Sequence, residues 1–247
     1  MNILITAGGT TEKIDEVRVI SNFSSGKLGL LIAKAFLENR NLGVEKIYYI
    51  CDKNHTNIPR DDRVEIVRVS GVDGLLNGLR NILTTKKIGA VIHAMAVSDY
   101  SVRTVTTLNE LKSKDFDIKR IENIDNKDQV SGKISSDIED LVIVLKRTPK
   151  VIGEIKKFQN ETLLVGFKLL SNVDKNKLID TGYKLLQKND CDMVLANDLS
   201  EITGEKHGGY LIFPDKEYER LENKEQIAQA IVISIEKILE RKGNEKS

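Results

Sequence analysis

An α/β fold, with a mostly parallel sheet and helices on both faces, is predicted by three features of this 247-residue chain. Short continuous Val/Ile/Leu runs recur along it. Segments of helical period alternate with those runs. A stretch rich in glycine and hydroxyl side chains separates the first run from the first helical pattern. Runs that are apolar at every position read as strands buried on both faces, as a parallel sheet covered by crossover helices requires.

Strands are predicted over Asn2–Thr6, Lys46–Cys51, Val64–Val67, Ala90–Ala94, Leu141–Leu145, Leu163–Lys168 and Met193–Ala196. Helical patterns fall at Lys27–Asn39, Gly74–Thr84, Lys150–Lys157, Asp174–Lys188 and Lys224–Arg241. Gly209–Phe213 and Glu217–Leu221 read as a late hairpin turning at Pro214-Asp215. The alternation is Rossmann-like. From Lys114 to Asp140 the chain is charged and poor in large apolar residues, which predicts a long mobile lid. Residues 242–247 are expected to fray. No compositional break divides the chain, so 1–247 reads as one domain.

Composition bounds the function. Net charge is +1, from 38 basic and 37 acidic residues, which leaves no general footprint for nucleic acid or an anionic membrane. No apolar run reaches the roughly 18 residues of a membrane span. Met1-Asn2 leads directly into a strand without a basic leader, so the expected location is the cytoplasm. Cys51 and Cys191 make neither a disulfide framework nor a zinc site, and read as small buried apolar residues.

The segment Ile5-Thr6-Ala7-Gly8-Gly9-Thr10-Thr11-Glu12, continuing to Val17-Arg18-Val19-Ile20-Ser21-Asn22-Phe23-Ser24-Ser25-Gly26-Lys27-Leu28-Gly29, carries the chemistry. Glycines, hydroxyls and a lysine between a strand and a helix N-terminus suit an anion, because free backbone N–H groups and the helix dipole converge there. The spacing is not that of a dinucleotide fingerprint, since Gly8 and Gly9 are adjacent and the next glycine is Gly26. It is not a P-loop, since Gly26-Lys27 is followed by Leu28.

The pattern closely resembles the phosphopantothenate–cysteine ligase family, with its T-x-G-G-T-x-E followed by D-x-V-R-x-I-S-N-x-S-S-G-K-x-G. Ala94-Met95-Ala96-Val97-Ser98-Asp99-Tyr100 resembles that family's A-A-A-V-A-D-[WY]; Lys133-Ile134-Ser135-Ser136 its K-I-x-S flap; Thr148-Pro149-Lys150-Val151 its T-P-D-I, with lysine for the usual acid; Val165-Gly166-Phe167 its V-G-F; and Ala196-Asn197-Asp198 its A-N-D. The resemblance covers essentially the whole chain and implies the single-function form, without the fused flavin-dependent decarboxylase.

The resemblance implies a two-step ligation. The carboxylate of 4′-phosphopantothenate attacks the α-phosphate of a nucleoside triphosphate, releasing pyrophosphate; the amine of cysteine then attacks the acyl carbon and releases the nucleoside monophosphate. It implies CTP, with ATP as the alternative, magnesium held largely by the triphosphate and water, and a homodimer. No protein ligand set for the metal is assigned.

Residue by residue, Asn22 is the expected hydrogen-bond donor to a developing oxyanion. Arg18 would bind the pantetheine phosphate or carboxylate. Lys133 would close over the triphosphate, and Ala96 with Ala94 and Met95 would let backbone approach the nucleotide or acyl group. Gly8, Gly9, Ser24, Ser25, Gly26 and Lys27 would form the anion cradle. Asp99 would contact the nucleotide, Thr148 and Pro149 would frame it with Pro149 at the first position of a helix, and Phe167 would lie beside the base. Lys184 and Lys188, four apart on one helical face, would hold triphosphate. Two alternatives remain: a nicotinamide oxidoreductase using Asp52 for a ribose, and a nucleotide sensor without turnover.

Overall fold

A computed structural model describes residues 1–113, 117, 119, 132–202 and 207–244. In chain order the strands are β1 (Asn2–Ala7), β2 (Thr11–Lys13), β3 (Val19–Ser21), β4 (Lys46–Asp52), β5 (Val64–Val69), β6 (Ala90–His93), β7 (Tyr100–Thr107), β8 (Leu141–Arg147), β9 (Leu163–Leu170), β10 (Met193–Asp198), β11 (Gly209–Ile212) and β12 (Tyr218–Leu221). The helices are α1 (Lys27–Glu38), α2 (Gly71–Thr85), α3 (Leu108–Lys112), α4 (Ile152–Phe158), α5 (Lys175–Asn189) and α6 (Lys224–Asn244).

The main sheet has eight strands in the order β12-β11-β10-β9-β6-β1-β4-β5. The six from β10 to β5 are parallel, and the β11–β12 hairpin closes one edge in antiparallel pairing. Winding reverses between β1 and β6, the switch point at which sheets of this kind bind ligands beyond the strand carboxyl ends.

Burial explains the order. β1, β6 and β10 are buried along nearly their whole length, as their largely apolar sequences favour. Each fully buried Leu or Ile contributes roughly 1.5–3 kcal/mol of transfer free energy. On one face α1 and α6 cover the sheet through Ile32, Phe36, Ile231 and Ile235. On the other, α2 presents Val72, Leu75, Leu79 and Ile82 at spacings of three and four, beside Ile155 of α4 and Leu186 of α5. Both cysteines are free and buried.

Several local expectations are corrected. Leu141–Leu145 is a strand, but outside the main sheet: β8 pairs antiparallel with β7, which the sequence reading left unassigned. Its burial, which never reaches that of a central strand, is the physical difference. The polar crossing after β1 holds a second two-stranded ribbon, β2–β3. The helix expected from Lys150 starts at Ile152, so Pro149 precedes it and is not its first residue. Helix α2 begins three residues early because Glu12, 60 residues upstream, accepts the Val72 N–H at 2.8 Å and satisfies its amino end. Lys242–Asn244 continue α6 where fraying was expected, and 245–247 lie outside the described residues. Of the expected lid, 132–140 is described; most of the stretch from 114 to 131 lies outside the described residues. No helix among the described residues is long and apolar enough to cross a membrane.

Candidate active site

At the switch point the segments leaving β1 and β6 stay side by side. Ala96 N–H donates to Gly8 O at 2.8 Å and Thr10 N–H to Ala96 O at 3.1 Å, with Gly9 bridging to Ala96. Ala94, Met95 and Ala96 therefore extend the parallel pair beyond the strand ends. The Met95 side chain turns into the core. Beneath them His93 is buried, its Nδ1 2.9 Å from Thr6 Oγ1. Burial lowers its pKa to about 4, so it is neutral at pH 7 and structural.

Asn22 is carried to this place by the β2–β3 ribbon. Its N–H donates to Thr10 O at 3.3 Å, and its side-chain Oδ1 accepts from Ser98 Oγ at 3.3 Å. Its Nδ2 has no partner among the described residues.

Arg18 sits at the ribbon turn, organised by Asp15. Asp15 is buried and accepts from Val17 N, Arg18 N, Arg18 Nη1 and Ile134 N at 2.7–3.1 Å. Burial alone would raise its pKa, but those hydrogen bonds and the Arg18 charge prevail and lower it. Arg18 Nη1 also donates to Ile134 O at 3.2 Å. The turn and the flap are thus laced together, which brings the exposed Lys133 next to the Arg18 turn. Arg18 keeps its remaining guanidinium N–H groups for a ligand.

Asp99 is exposed and paired with Lys150. Thr148 locks the two segments, donating from Oγ1 to Ser98 O at 2.6 Å and from N–H to Asp99 O at 3.0 Å. A cavity of about 220 Å³ beside it is lined by Glu12, Asp73, Ser101, Arg147, Thr148 and Pro149. Lys146 also lines it, so its two carboxylates face two cations.

The amino end of α1 has Gly26 at φ 65° as its cap and no side-chain acceptor closer than the long contacts of Ser24 and Ser25, 3.4 Å each, to Gly26 N and Lys27 N. The loop after β4 reaches this place. A Cβ on Gly8 would stand 2.9 Å from His55 Nδ1, and one on Gly26 2.2 Å from its Cε1. His55 Nε2 donates to Asn57 O at 3.0 Å, and Asn57 Nδ2 donates to Ser25 O at 2.7 Å. An imidazole therefore lines one side of the expected cradle. A dinucleotide on this fold lays its pyrophosphate at that helix end and its ribose on the acid after the second parallel strand. Asp52 Oδ1 accepts from Asn54 N at 3.0 Å within a turn, so the acid that the nicotinamide alternative would use for a ribose is engaged in its own loop.

Phe167 is half-buried against the core under α1 and α6, two residues past the Ile92–Val165 pairing of β6 and β9 and so level with Ala94. Other expected residues are not gathered here. Lys184 and Lys188 are exposed on α5, which runs from the carboxyl edge of the sheet back toward the start of β10. At 1.5 Å per residue they lie roughly 14 and 20 Å along the axis from its first residue. Conversely, Thr10, Ser98 and His55 matter to the geometry and were not singled out. All but His55 lie within the quoted motifs, so position there was the only available signal.

A doubly wound α/β protein with its ligand site at the switch point is the class this fold and site define. The chain belongs to the family described as DNA/pantothenate metabolism flavoprotein C-terminal domain, which it matches over residues 1–132 and 123–239. It is 31% identical over 246 residues to the coenzyme A biosynthesis bifunctional protein CoaBC of Methanocaldococcus jannaschii, covering 96% of this chain and 51% of that protein. The protein of the same name from Thermococcus kodakarensis is 32% identical over 241 residues, with 96% and 51% covered. The chain thus spans about half the length of these curated relatives. Among solved structures it is similar to the DNA/pantothenate metabolism flavoprotein from Streptococcus pneumoniae, with 33% identity, a TM-score of 0.84, and 96% and 99% of the two chains covered.

Proposed function

We propose that this chain ligates 4′-phosphopantothenate to L-cysteine with CTP, through an acyl-cytidylate, giving 4′-phospho-N-pantothenoylcysteine, CMP and pyrophosphate in coenzyme A biosynthesis. The observation that carries this is Asn22 beside the ends of β1 and β6, its Nδ2 without a partner among the described residues, on a ribbon whose far end joins Arg18 to the Lys133 flap.

The first step brings a carboxylate against a triphosphate, and the repulsion between two anions is its main obstacle. Arg18 holds the acid substrate, and Lys133 and Lys27 offset the phosphate charge. The backbone of Ala94–Ala96 approaches the α-phosphate, the carboxylate oxygen bonds to phosphorus, and pyrophosphate leaves. Asp99 and Thr148 with Pro149 frame the nucleotide. In the second step the cysteine nitrogen bonds to the acyl carbon, gives up a proton to solvent, and CMP departs. Asn22 Nδ2 donates to the oxyanion that forms on the acyl oxygen.

No group of three or more His, Cys, Asp or Glu side chains able to hold a metal occurs among the described residues. A magnesium ion carried by the triphosphate and water fits that donor set and would supply charge neutralisation. The exposed Val17, Val19, Phe23, Tyr100 and Leu145 on the two ribbons favour a homodimer over a lone subunit. The cytoplasm, where soluble coenzyme A precursors are made, is the matching compartment.

Pyrophosphate release is measured with 4′-phosphopantothenate, magnesium and either CTP or ATP, with and without cysteine. Release that needs the acid, is faster with CTP, and yields phosphopantothenoylcysteine on adding cysteine is expected. A preference for ATP would replace the nucleotide; binding of both nucleotides without turnover would replace the ligase by a sensor.

A further inference from the structure

We propose that Thr10 and Ser98 are positioning residues that fix the Asn22 carboxamide in one orientation, oxygen toward Ser98 and N–H donors left for the reacting oxyanion. The inference rests on the role given to Asn22 in the ligase reading and goes beyond it by naming what holds that group.

Counting protons sets the direction. The Ser98 backbone N–H donates to Thr10 Oγ1 at 2.8 Å. Thr10 Oγ1 lies 2.9 Å from Ser98 Oγ, to which it gives its single proton. Ser98 Oγ then has its own proton left, and Asn22 Oδ1 lies 3.3 Å away to accept it. The chain starts at an amide that can only donate, so it runs one way. Thr10 and Ser98 are 1% and 4% exposed, so water is not at hand to substitute. Were the carboxamide flipped, Ser98 Oγ would receive an N–H and turn its own proton back toward Thr10. The Thr10 proton would then be buried without an acceptor, which disfavours the flipped amide. An amide free to flip has to be turned before it can donate to an oxyanion; one held by the relay presents its N–H from the outset.

Ser98 stands where the A-A-A-V-A-D pattern has alanine, so this relay is a property of this chain and not of that pattern. It also means that Ser98→Ala is a substitution the fold accepts.

Pyrophosphate release and phosphopantothenoylcysteine formation are timed separately in the full chain and in Thr10→Val, Thr10→Ser, Ser98→Ala, Asn22→Ala and Thr10→Val/Asn22→Ala. The expected result for Thr10→Val is a second step slowed by roughly 10- to 100-fold, with the nucleotide KM within about threefold of the parent. Thr10→Ser, which keeps the hydroxyl, restores the rate to within about fivefold. Added to Asn22→Ala, Thr10→Val costs less than about threefold more, because both remove the same donor. Ser98→Ala slows the same step and keeps the proposal testable should Thr10→Val fail to fold. If Asn22→Ala is crippled while Thr10→Val and Ser98→Ala run at the parent rate, the relay is wrong and the ligase stands. A full extra loss in the Asn22→Ala background also overturns it. A parent that releases no pyrophosphate, or an Asn22→Ala at parent rate, removes the ligase reading or the Asn22 role, and the relay with it.

Discussion

Gly9 and Asn22 pass each other backbone to backbone: a Cβ on Gly9 would stand 2.1 Å from the carbonyl oxygen of Asn22. No real side chain tolerates that distance, so the glycine is what lets the ribbon lay Asn22 across the end of β1. Gly9→Ala is expected to push the 20–23 segment away, costing about 1–3 kcal/mol of stability as an overpacked contact. Activity should fall further than stability does, since Asn22 moves while the sheet core does not. Thermal unfolding beside the rates of both half-reactions checks this; a parent-like rate in a destabilised variant would refute it.

Asp15 links the Arg18 turn to the flap through Arg18 Nη1 and the Ile134 N–H, 2.7 and 3.1 Å from Oδ2. Asp15→Asn keeps the shape but sets an N–H2 group against one of these donor sets. The flap should detach from the turn, with Ile134 amide exchange faster by about an order of magnitude and pyrophosphate release slower. Hydrogen exchange read at Ile134 decides it: unchanged protection means that the flap is held by something else.

Lys150 pairs with Asp99, and both side chains are about two-thirds exposed, at 71% and 66%. Such a pair contributes little to stability because water competes for both partners. Lys150→Ala is therefore expected to leave the melting temperature unchanged while raising the nucleotide KM several-fold, because Asp99, which frames the nucleotide, loses the partner that holds it. A lower melting temperature with an unaltered KM would make the pair structural.

His93, neutral and buried, links folding to pH. Its folded pKa of about 4 lies below the ordinary 6.5, so the unfolded chain takes up a proton first as pH falls. Its contribution is complete above about pH 6.5, declines from there to about 4, and is then constant. On these values about 2 kcal/mol is gone by pH 5. His207, lowered to about 4, and His55, lowered, act with the same sign, so the parent shows a sum. His93→Asn should shrink the difference in unfolding free energy between pH 7 and pH 5 by its own share. Denaturant titrations at the two pH values measure it, and an equal difference in both proteins would show that His93 is not the group titrating.

Much of the fold was legible because burial on both faces writes itself into sequence. β1, β4, β6, β9 and β10 are nearly unbroken apolar runs, and α1, α2 and α5 carry apolar stripes at three and four. The ribbons were not legible. β2 and β3 are three residues each, and β7 mixes Thr and Val with Val102 as its one buried residue, so none of them rises above a loop until its partner is known. The early start of α2 depends on Glu12, which no local window contains.

The sequence by itself determined the sheet class, the helices on both its faces, the late hairpin and the family, because each depends on residue type at near neighbours or on one long ordered motif. Tertiary structure alone decided which motif residues meet. It set Asn22 over Gly9, joined Arg18 to Ile134 through a buried Asp15, filled the Gly8–Gly26 notch with His55, and left Lys184 and Lys188 along the outside of α5. Those relations span up to 119 residues and depend on hydrogen-bond directions and close backbone approach, which are properties of folded geometry and not of residue order.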